Sequence, residues 1–318
     1  MRRNGTNSAR RNSQSVNRYR IDSQYEIELV INPECDCKTS DSKELGESRS
    51  VKPVVFDDYA NRYECVSMRR EDGILLLTIH ARGAKDRPCV WSAKPHEELS
   101  YAFNDIARDR DNQCVIITGA GDAFCAEMHP SIAGLSRYSE GNLTPVMFEK
   151  MDEAGHDGRY LLINHLNIEV PMIAAVNGPA FIHAELALLC DIVLATENTE
   201  FQDAPHFPSG LVPGDGVHVV WPLLLGPNRG RYFLLTGQKL SAAEALKLGV
   251  VNEVLPREIL LSRAWELARE ICKRPSLARR YARVAMTQTL KKAMLDGLGY
   301  GIALESLGMM AGVGIRKE

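Results

Sequence analysis

IAAVNGPAFIHAELALLCDIVLAT, residues 173–196, decides the fold. It opens on an apolar run and turns at Asn177-Gly178-Pro179. A helix-like segment follows from His183 to Cys190, and the stretch closes on a second apolar run, Asp191 to Thr196. Short apolar runs without polar alternation suit strands buried on both faces, and a helix between two of them makes a parallel crossover. The stretch therefore reads as strand, turn, helix, strand.

The same alternation extends upstream. ECVSMRREDGILLLTIH (64–80) gives two β-rich runs around Asp72-Gly73, a hairpin signal. KPHEELSYAFNDIARD (94–109) repeats apolar residues at helical spacing, CVIITGAG (114–121) is a short buried strand ending in glycine, and EKMDEAGHDGRYLLINHL (149–166) is a further helix. Downstream, Ser241-Ala-Ala-Glu244 is a capping box. Pro256 precedes the amphipathic REILLSRAWELAREICKR (257–274), and SLARRYARVAMTQTLKKAML (276–295) is another amphipathic helix whose basic residues are expected on a solvated face. GLGYGIALESLGMMAGVG (297–314) is apolar and glycine-rich, so it should pack on its own body or on a neighbouring subunit. The fold class is α/β, with active groups expected at the carboxyl ends of the strands.

Composition narrows the function. An apolar fraction of 45% in 318 residues is ample for a core, and no run approaches the roughly 18 apolar residues of a membrane span. No secretory apolar stretch opens the chain, so a cytoplasmic location is expected. The first fifty or so residues are polar and without strand or helix period; residues 1–55 read as a disordered tail, although an Arg/Ser-rich start also admits an organellar transit peptide. The net charge of −3 offers no general field for nucleic acid. The cysteines at 114 and 190 sit in apolar runs and read as small core residues, and Cys35 with Cys37 lacks a second ligand pair, so no metal site is expected. GAGDAF (119–124) has Phe124 where a dinucleotide loop needs its third glycine, and GPNRGR (226–231) lacks the lysine of a phosphate loop.

The chemistry concentrates in FQDAPHFPSGLVPGDG, residues 201–216. A histidine whose second ring nitrogen is held by a carboxylate can activate water, so His206 with Asp215 or Asp203 is a candidate dyad. The competing reading is that both aspartates hydrogen-bond turn amides. His183 likewise follows a strand beside an acid. Trp91 and His96 stand just before the first helix, where an indole N–H could hold a carbonyl oxygen; Trp91 could equally be a core residue. His80, His156, His165 and His218 lie in regular runs and read as surface or core groups.

In order, these stretches resemble the crotonase (enoyl-CoA hydratase/isomerase) superfamily. VIITGAGDAFCAEMH (115–129) is similar to the segment of the first oxyanion amide, residues 173–196 to that of the second, and LLTGQKLSAAEALKLGVVNEVLP (234–256) to a characteristic later segment. The resemblance implies a spiral of repeated β-β-α units over residues 56–255, a helical trimerisation region over 256–318, and trimers or dimers of trimers. It runs from about residue 64 to beyond 290.

The departures are specific. The glycine-rich run expected before the second segment's acid is Ile182-His183-Ala184, and Glu127-Met128 replaces a Gly-Ala pair, so both sides of a thioester oxyanion hole are crowded. One family glutamate falls at His206; Glu185 corresponds to the other. The chain more closely resembles the β-diketone hydrolase branch, through His183 after Gly-Pro-Ala, PHFPSG (205–210), VPGDG (212–216), HVVWP (218–222) and NRGRYFLLTGQ (228–238). That resemblance implies catalytic roles for His206, Asp215, His183 and Glu305, with Trp91, His96, Met128 and Phe124 lining the substrate. It also implies cofactor-free retro-Claisen cleavage of a 1,3-diketone to a keto acid, with either His206 or Asp215 returning the proton to carbon. A CoA-dependent hydratase, isomerase or thioesterase using Glu185 is the competing expectation, and an RNA-binding protein the remoter one.

Overall fold

The computed structural model describes residues 16–22, 25–30, 52–130 and 145–310. Its backbone forms two units, divided between Lys52 and Pro53. In the first, Val16–Asp22 and Tyr25–Val30 pair as an antiparallel hairpin. This differs from the expectation of no strand period in the polar tail; the apolar-acidic alternation of Tyr25-Glu-Ile-Glu-Leu-Val30 is the period that was there. The rest of that segment, with Cys35 and Cys37, lies outside the described residues.

The second unit is built on six strands: β1 (Val66–Glu71), β2 (Ile74–Ile79), β3 (Cys114–Gly119), β4 (Met172–Val176), β5 (Ile192–Thr196) and β6 (Glu253–Leu255). Their order across the sheet is their order in sequence, with every pairing parallel except the β1–β2 hairpin. The hairpin turns at Asp72 and Gly73, both at positive φ, as a two-residue turn between right-twisted strands requires. Helix α1 (Ala93–Arg108) joins β2 to β3, α2 (Pro145–Leu166) joins β3 to β4, and the single turn α3 (Glu185–Leu188) joins β4 to β5. Each crossover steps one strand further in the same direction, which makes the chain a spiral.

Alternation along the strands divides the core. Leu75, Leu77, Val115, Ile117, Ala174 and Val193 face the cluster that includes Leu99, Phe103 and Leu161 of α1 and α2. Ile74, Leu76, Ile116, Ile173 and Leu194 face Leu260, Ala264 and Trp265 of α7 (Arg257–Cys272), which follows the shorter α4 (Val217–Leu225), α5 (Pro227–Thr236) and α6 (Ala242–Lys247). Both faces are covered, so the strands read as continuous apolar runs.

A second, short ladder stands past the ends of the main strands. Val90–Trp91 pairs with Glu127–Met128, Cys125 bridges to Ala180, Ala180 bridges to Phe201, and Glu200–Phe201 pairs with Leu240–Ser241. Each main strand from β2 to β5 thus has a short companion, giving the repeated β-β-α units. This ladder carries Trp91 directly and releases the chain just before His183 and just before Asp203.

Helix α8 (Ser276–Met310) completes the same unit. Its basic residues correct one expectation. Arg279, Arg280 and Arg283 are buried rather than solvated. Arg280 donates to the carbonyls of Arg110 and Asn112, and Arg283 donates to that of Ile168 and pairs with Asp191 at 2.5 Å. A guanidinium offers five donors, enough to saturate carbonyls that helix-to-strand loops leave unpaired. Cys65, Cys89, Cys114, Cys125 and Cys190 are buried free thiols, in keeping with core roles. Among the described residues no helix is long and apolar enough to cross a membrane.

The last helix reaches the loop before α4 through glycine. A Cβ on Gly301 would collide with the Gly214 carbonyl and the His218 ring, whereas one on Gly299 would meet open space. Gly301→Ala should therefore lose roughly 1–3 kcal/mol through overpacking. Gly299→Ala should gain up to about 1 kcal/mol of helix propensity. Urea midpoints of the two variants check this, and equal effects would show that the helix does not rest on this contact.

Candidate active site

His206 follows the short strand Glu200–Phe201 by five residues and leads into a single 3-10 turn, Phe207–Ser209, closed by Gly210 at φ 82°. Its carbonyl accepts from Ser209 and Leu211, so the backbone of the turn is pinned before Gly214-Asp215-Gly216. Gly216, at φ 111°, starts α4 and leaves Asp215 directly before the helix. Proline and glycine therefore hold the two ionisable groups in one fixed relation.

His206 is buried with a carboxylate on each side of its ring. Nδ1 lies 2.6 Å from Asp203 Oδ1, and Nε2 lies 3.3 Å from Asp215 Oδ2 and 3.6 Å from Glu305 Oε1. The sequence left Asp203 and Asp215 as alternatives for the dyad. Both are partners: Asp203 holds the inner nitrogen, and Asp215 faces the outer one. His183 Nδ1 is 2.5 Å from Glu185 Oε1 and 3.7 Å from Asp215 Oδ2. Asp203, His206, Asp215, His183 and Glu185 thus form one continuous chain of close contacts centred on Asp215.

His183 takes a φ of 47°, the left-handed region where a residue with a Cβ costs roughly 1–2 kcal/mol. Its imidazole packs on Trp91 with ring centroids 4.1 Å apart and planes 40° apart, and the His96 ring lies 5.4 Å from that of His183. Ser92 caps α1 by accepting from Lys94, which fixes Trp91 and His96 on either side of the helix start. Met128 sits opposite Trp91 in the short ladder. Phe124 does not join the polar cluster; it is wholly buried in the main core, with its amide donating to the Pro179 carbonyl. The expected set is brought together, Phe124 excepted, and with it Asp203, the alternative partner read for His206, and Glu185, the acid of the competing hydratase reading, each of which lies on a histidine. Their signal was proximity in sequence, three residues before one histidine and two after the other.

Burial alone would lower the pKa of His206, but the charge of Asp215 and hydrogen bonds with Asp203, Asp215 and Glu305 lift it well above the ordinary histidine value. His183 is raised in the same way, burial being outweighed by Glu185 and then Asp215. Burial would raise the Asp215 carboxyl, yet His206 and then His183 hold it well below the usual carboxylate range. Burial raises Glu185, Asp203 and Glu305. His96 is pushed down to about 3, chiefly by burial, with the charge of His183 adding to it. The two central imidazoles favour the cation and His96 stays neutral.

Two trios, His183–Glu185–Asp215 and His206–Asp215–Glu305, bring donor atoms within 4.8 Å of one another. In the first, His183 Nδ1 lies 2.5 Å from Glu185 Oε1, a contact that shares a proton; in the second, the nearest carboxylate oxygen to His206 Nε2 is that of Asp215, at 3.3 Å. The set fits a proton relay. A groove of about 260 Å³ between α1 and α2, lined by Ser100, Tyr101, Asn104, His156, Tyr160 and Asn164, contains none of these residues. His165 and His218 take core and packing roles, each donating from Nε2 to a backbone carbonyl, that of Leu186 and that of Gly297.

Residues 69–302 match the family model described as enoyl-CoA hydratase/isomerase. The chain belongs to that family, the crotonase superfamily. It is 32% identical to the carnitinyl-CoA dehydratase of Shigella flexneri over 68% of this chain and 77% of that protein. It is 30% identical to the fatty acid oxidation complex subunit alpha of Shewanella sp. strain MR-4 over 73% of this chain, spanning 31% of that longer protein. A solved β-diketone hydrolase from the cyanobacterium Anabaena sp. PCC 7120, bound to (S)-3-oxocyclohexyl acetic acid, is 47% identical with a TM-score of 0.73, covering 80% of this chain and 97% of that one. An enoyl-CoA hydratase/isomerase structure from Mycobacterium paratuberculosis is 27% identical with a TM-score of 0.69, over 79% and 95% of the two chains.

An imidazole titration by NMR checks the electrostatics. His96 should show no inflection between about pH 5 and 8, while His206 should titrate above the ordinary value near 6.5. A His206 inflection below that value would mean its carboxylates do not act on it.

Proposed function

We propose that this crotonase-superfamily enzyme is a CoA-independent β-diketone hydrolase, cleaving a carbon–carbon bond of a 1,3-diketone to release a keto acid. One observation carries the reading: neither acidic position of a hydratase is available in hydratase form. One is His206; the other, Glu185, is bonded to His183 at 2.5 Å and wholly buried. The identity with the Anabaena β-diketone hydrolase supports the same activity, and the keto acid in that structure belongs to the product class this cleavage yields.

The reaction needs a base and a place for developing negative charge. Neutral His206 takes a proton from water through Nε2 while Asp203 holds Nδ1. The resulting hydroxide forms a C–O bond to one carbonyl carbon. Collapse of the adduct breaks the bond to the carbon between the carbonyls, and the electron pair moves into the second carbonyl as an enolate. His183 as imidazolium, backed by Glu185 and packed on Trp91, stabilises that oxygen. The imidazolium of His206 returns its proton to carbon, directly or through Asp215, and Glu305 lies within 3.6 Å of the same nitrogen. Water and diketone are thereby converted to keto acid with no cofactor.

The names of the curated relatives favour a second reading, CoA-thioester hydration. Incubation with cyclic 1,3-diketones in ¹⁸O-water without CoA separates the two. The expected product carries label in its carboxylate, and His206→Ala or Asp215→Asn should lower kcat by roughly 10²–10⁴-fold. Turnover of enoyl-CoA with no diketone cleavage would transfer the assignment to the second reading.

The sign of the pH dependence follows from the raised His206 pKa. The base form appears only as pH climbs through that value, so kcat should rise with pH along a limb above the ordinary histidine range near 6.5. A kcat already maximal at pH 5 would exclude His206 as the base.

Self-association is part of the proposal. Tyr281 (66% exposed), Met286 (69%), Leu295 (59%) and Tyr300 (71%) leave apolar surface along α8, which a second copy of the chain would cover. Light scattering should give a multiple of three subunits.

A further inference from the structure

We infer that Asp203 and Glu185 are positioning residues, one for each histidine, and that they give the two imidazoles different tasks within the diketone cleavage proposed above. The geometry is matched. Each carboxylate lies on an Nδ1, at 2.6 Å for Asp203–His206 and 2.5 Å for Glu185–His183. Each is almost wholly buried, and the second oxygen of each, Asp203 Oδ2 and Glu185 Oε2, has no hydrogen-bond partner among the described residues. A buried carboxylate is costly to keep unless it is paired. Among the side-chain hydrogen bonds described, that pairing is to the histidine.

The two pairs differ in what the other face of the ring meets. His206 presents Nε2 to Asp215 and Glu305, groups that can exchange a proton with it. Asp203 therefore fixes the tautomer that leaves Nε2 free to take up and return a proton. His183 is held in a left-handed backbone conformation against the face of Trp91. Glu185, two residues on, ties down that strained residue and favours its cationic form, so His183 serves as a fixed positive charge for the enolate oxygen. The hydratase family's glutamate is thus retained in this chain as the holder of a histidine.

The test uses the full chain in two arms. The first needs no substrate: proton NMR of the wild-type protein should show two strongly deshielded imidazole N–H resonances. Asp203→Asn should remove one and Glu185→Gln the other. The second arm is kinetic, with thermal unfolding measured alongside. Asp203→Asn should lower kcat by roughly 10²-fold with KM little changed. Of the charged groups facing His206 (Asp203, Asp215, Glu305 and His183), it removes one anion, so the limb of kcat should move to lower pH; Asp203→Glu should bring it back. Glu185→Gln should lower kcat/KM and leave that limb in place, since it acts on His183, which also faces Asp215, His206 and His96. Wild-type protein without either deshielded resonance, or Asp203→Asn with unchanged kcat and pH limb, would overturn the inference. Because the first arm involves no diketone, it decides the positioning roles even if the hydrolase reading fails.

Discussion

A buried imidazolium must have its charge answered inside the protein, and the architecture follows from meeting that need at His206. Three carboxylates reach this one ring. Asp203 and Asp215 come from the same loop, and Glu305 from the last helix. Holding three acids together repels them, and only the two histidines between them make the arrangement affordable. The main sheet, the short ladder and the glycine contact of α8 are the means of delivering these groups to one point.

The site uses the crotonase frame in a changed way. In the hydratase pattern a glycine-rich turn lets backbone amides approach a thioester oxygen. Here the corresponding turn carries His183 at positive φ, with its side chain against Trp91 and Glu185. In the proposed cleavage the close pair of His183 and Trp91, with Glu185 behind it, would supply with side chains the charge that backbone amides supply in a hydratase.

Much of this was legible in the sequence. The strands from Ile74 to Thr196 are buried on both faces, so their apolar runs are unambiguous, and the Asp72-Gly73 turn and Ser241–Glu244 capping box sit where their chemistry placed them. His183, His206, Asp215, Trp91, His96 and Glu305 were all identifiable from their surroundings and the family resemblance. What the sequence left open depended on distance. Whether Asp203 or Asp215 orients His206 turns on the bend at Pro205 and His206, which brings the residue three positions earlier onto Nδ1. The arginines of α8 read as solvated because helical spacing does not reveal which unpaired carbonyls a helix will meet. Phe124 was assigned to the substrate by its place in a motif, yet the same turn directs it into the core.

The strands of the sheet lie in the order in which they are synthesised, so each can join an existing edge without being inserted between earlier partners. A chain folding from its N-terminal side can therefore accrete the sheet as it emerges. The reactive cluster follows a different schedule. His183 and then His206 with Asp215 are in place once the middle of the chain has formed, but Glu305 arrives only when the Gly301 face of the last helix docks on Gly214. The cluster is thereby completed only from the end of the chain, and without that docking His206 has one of its three carboxylates still missing.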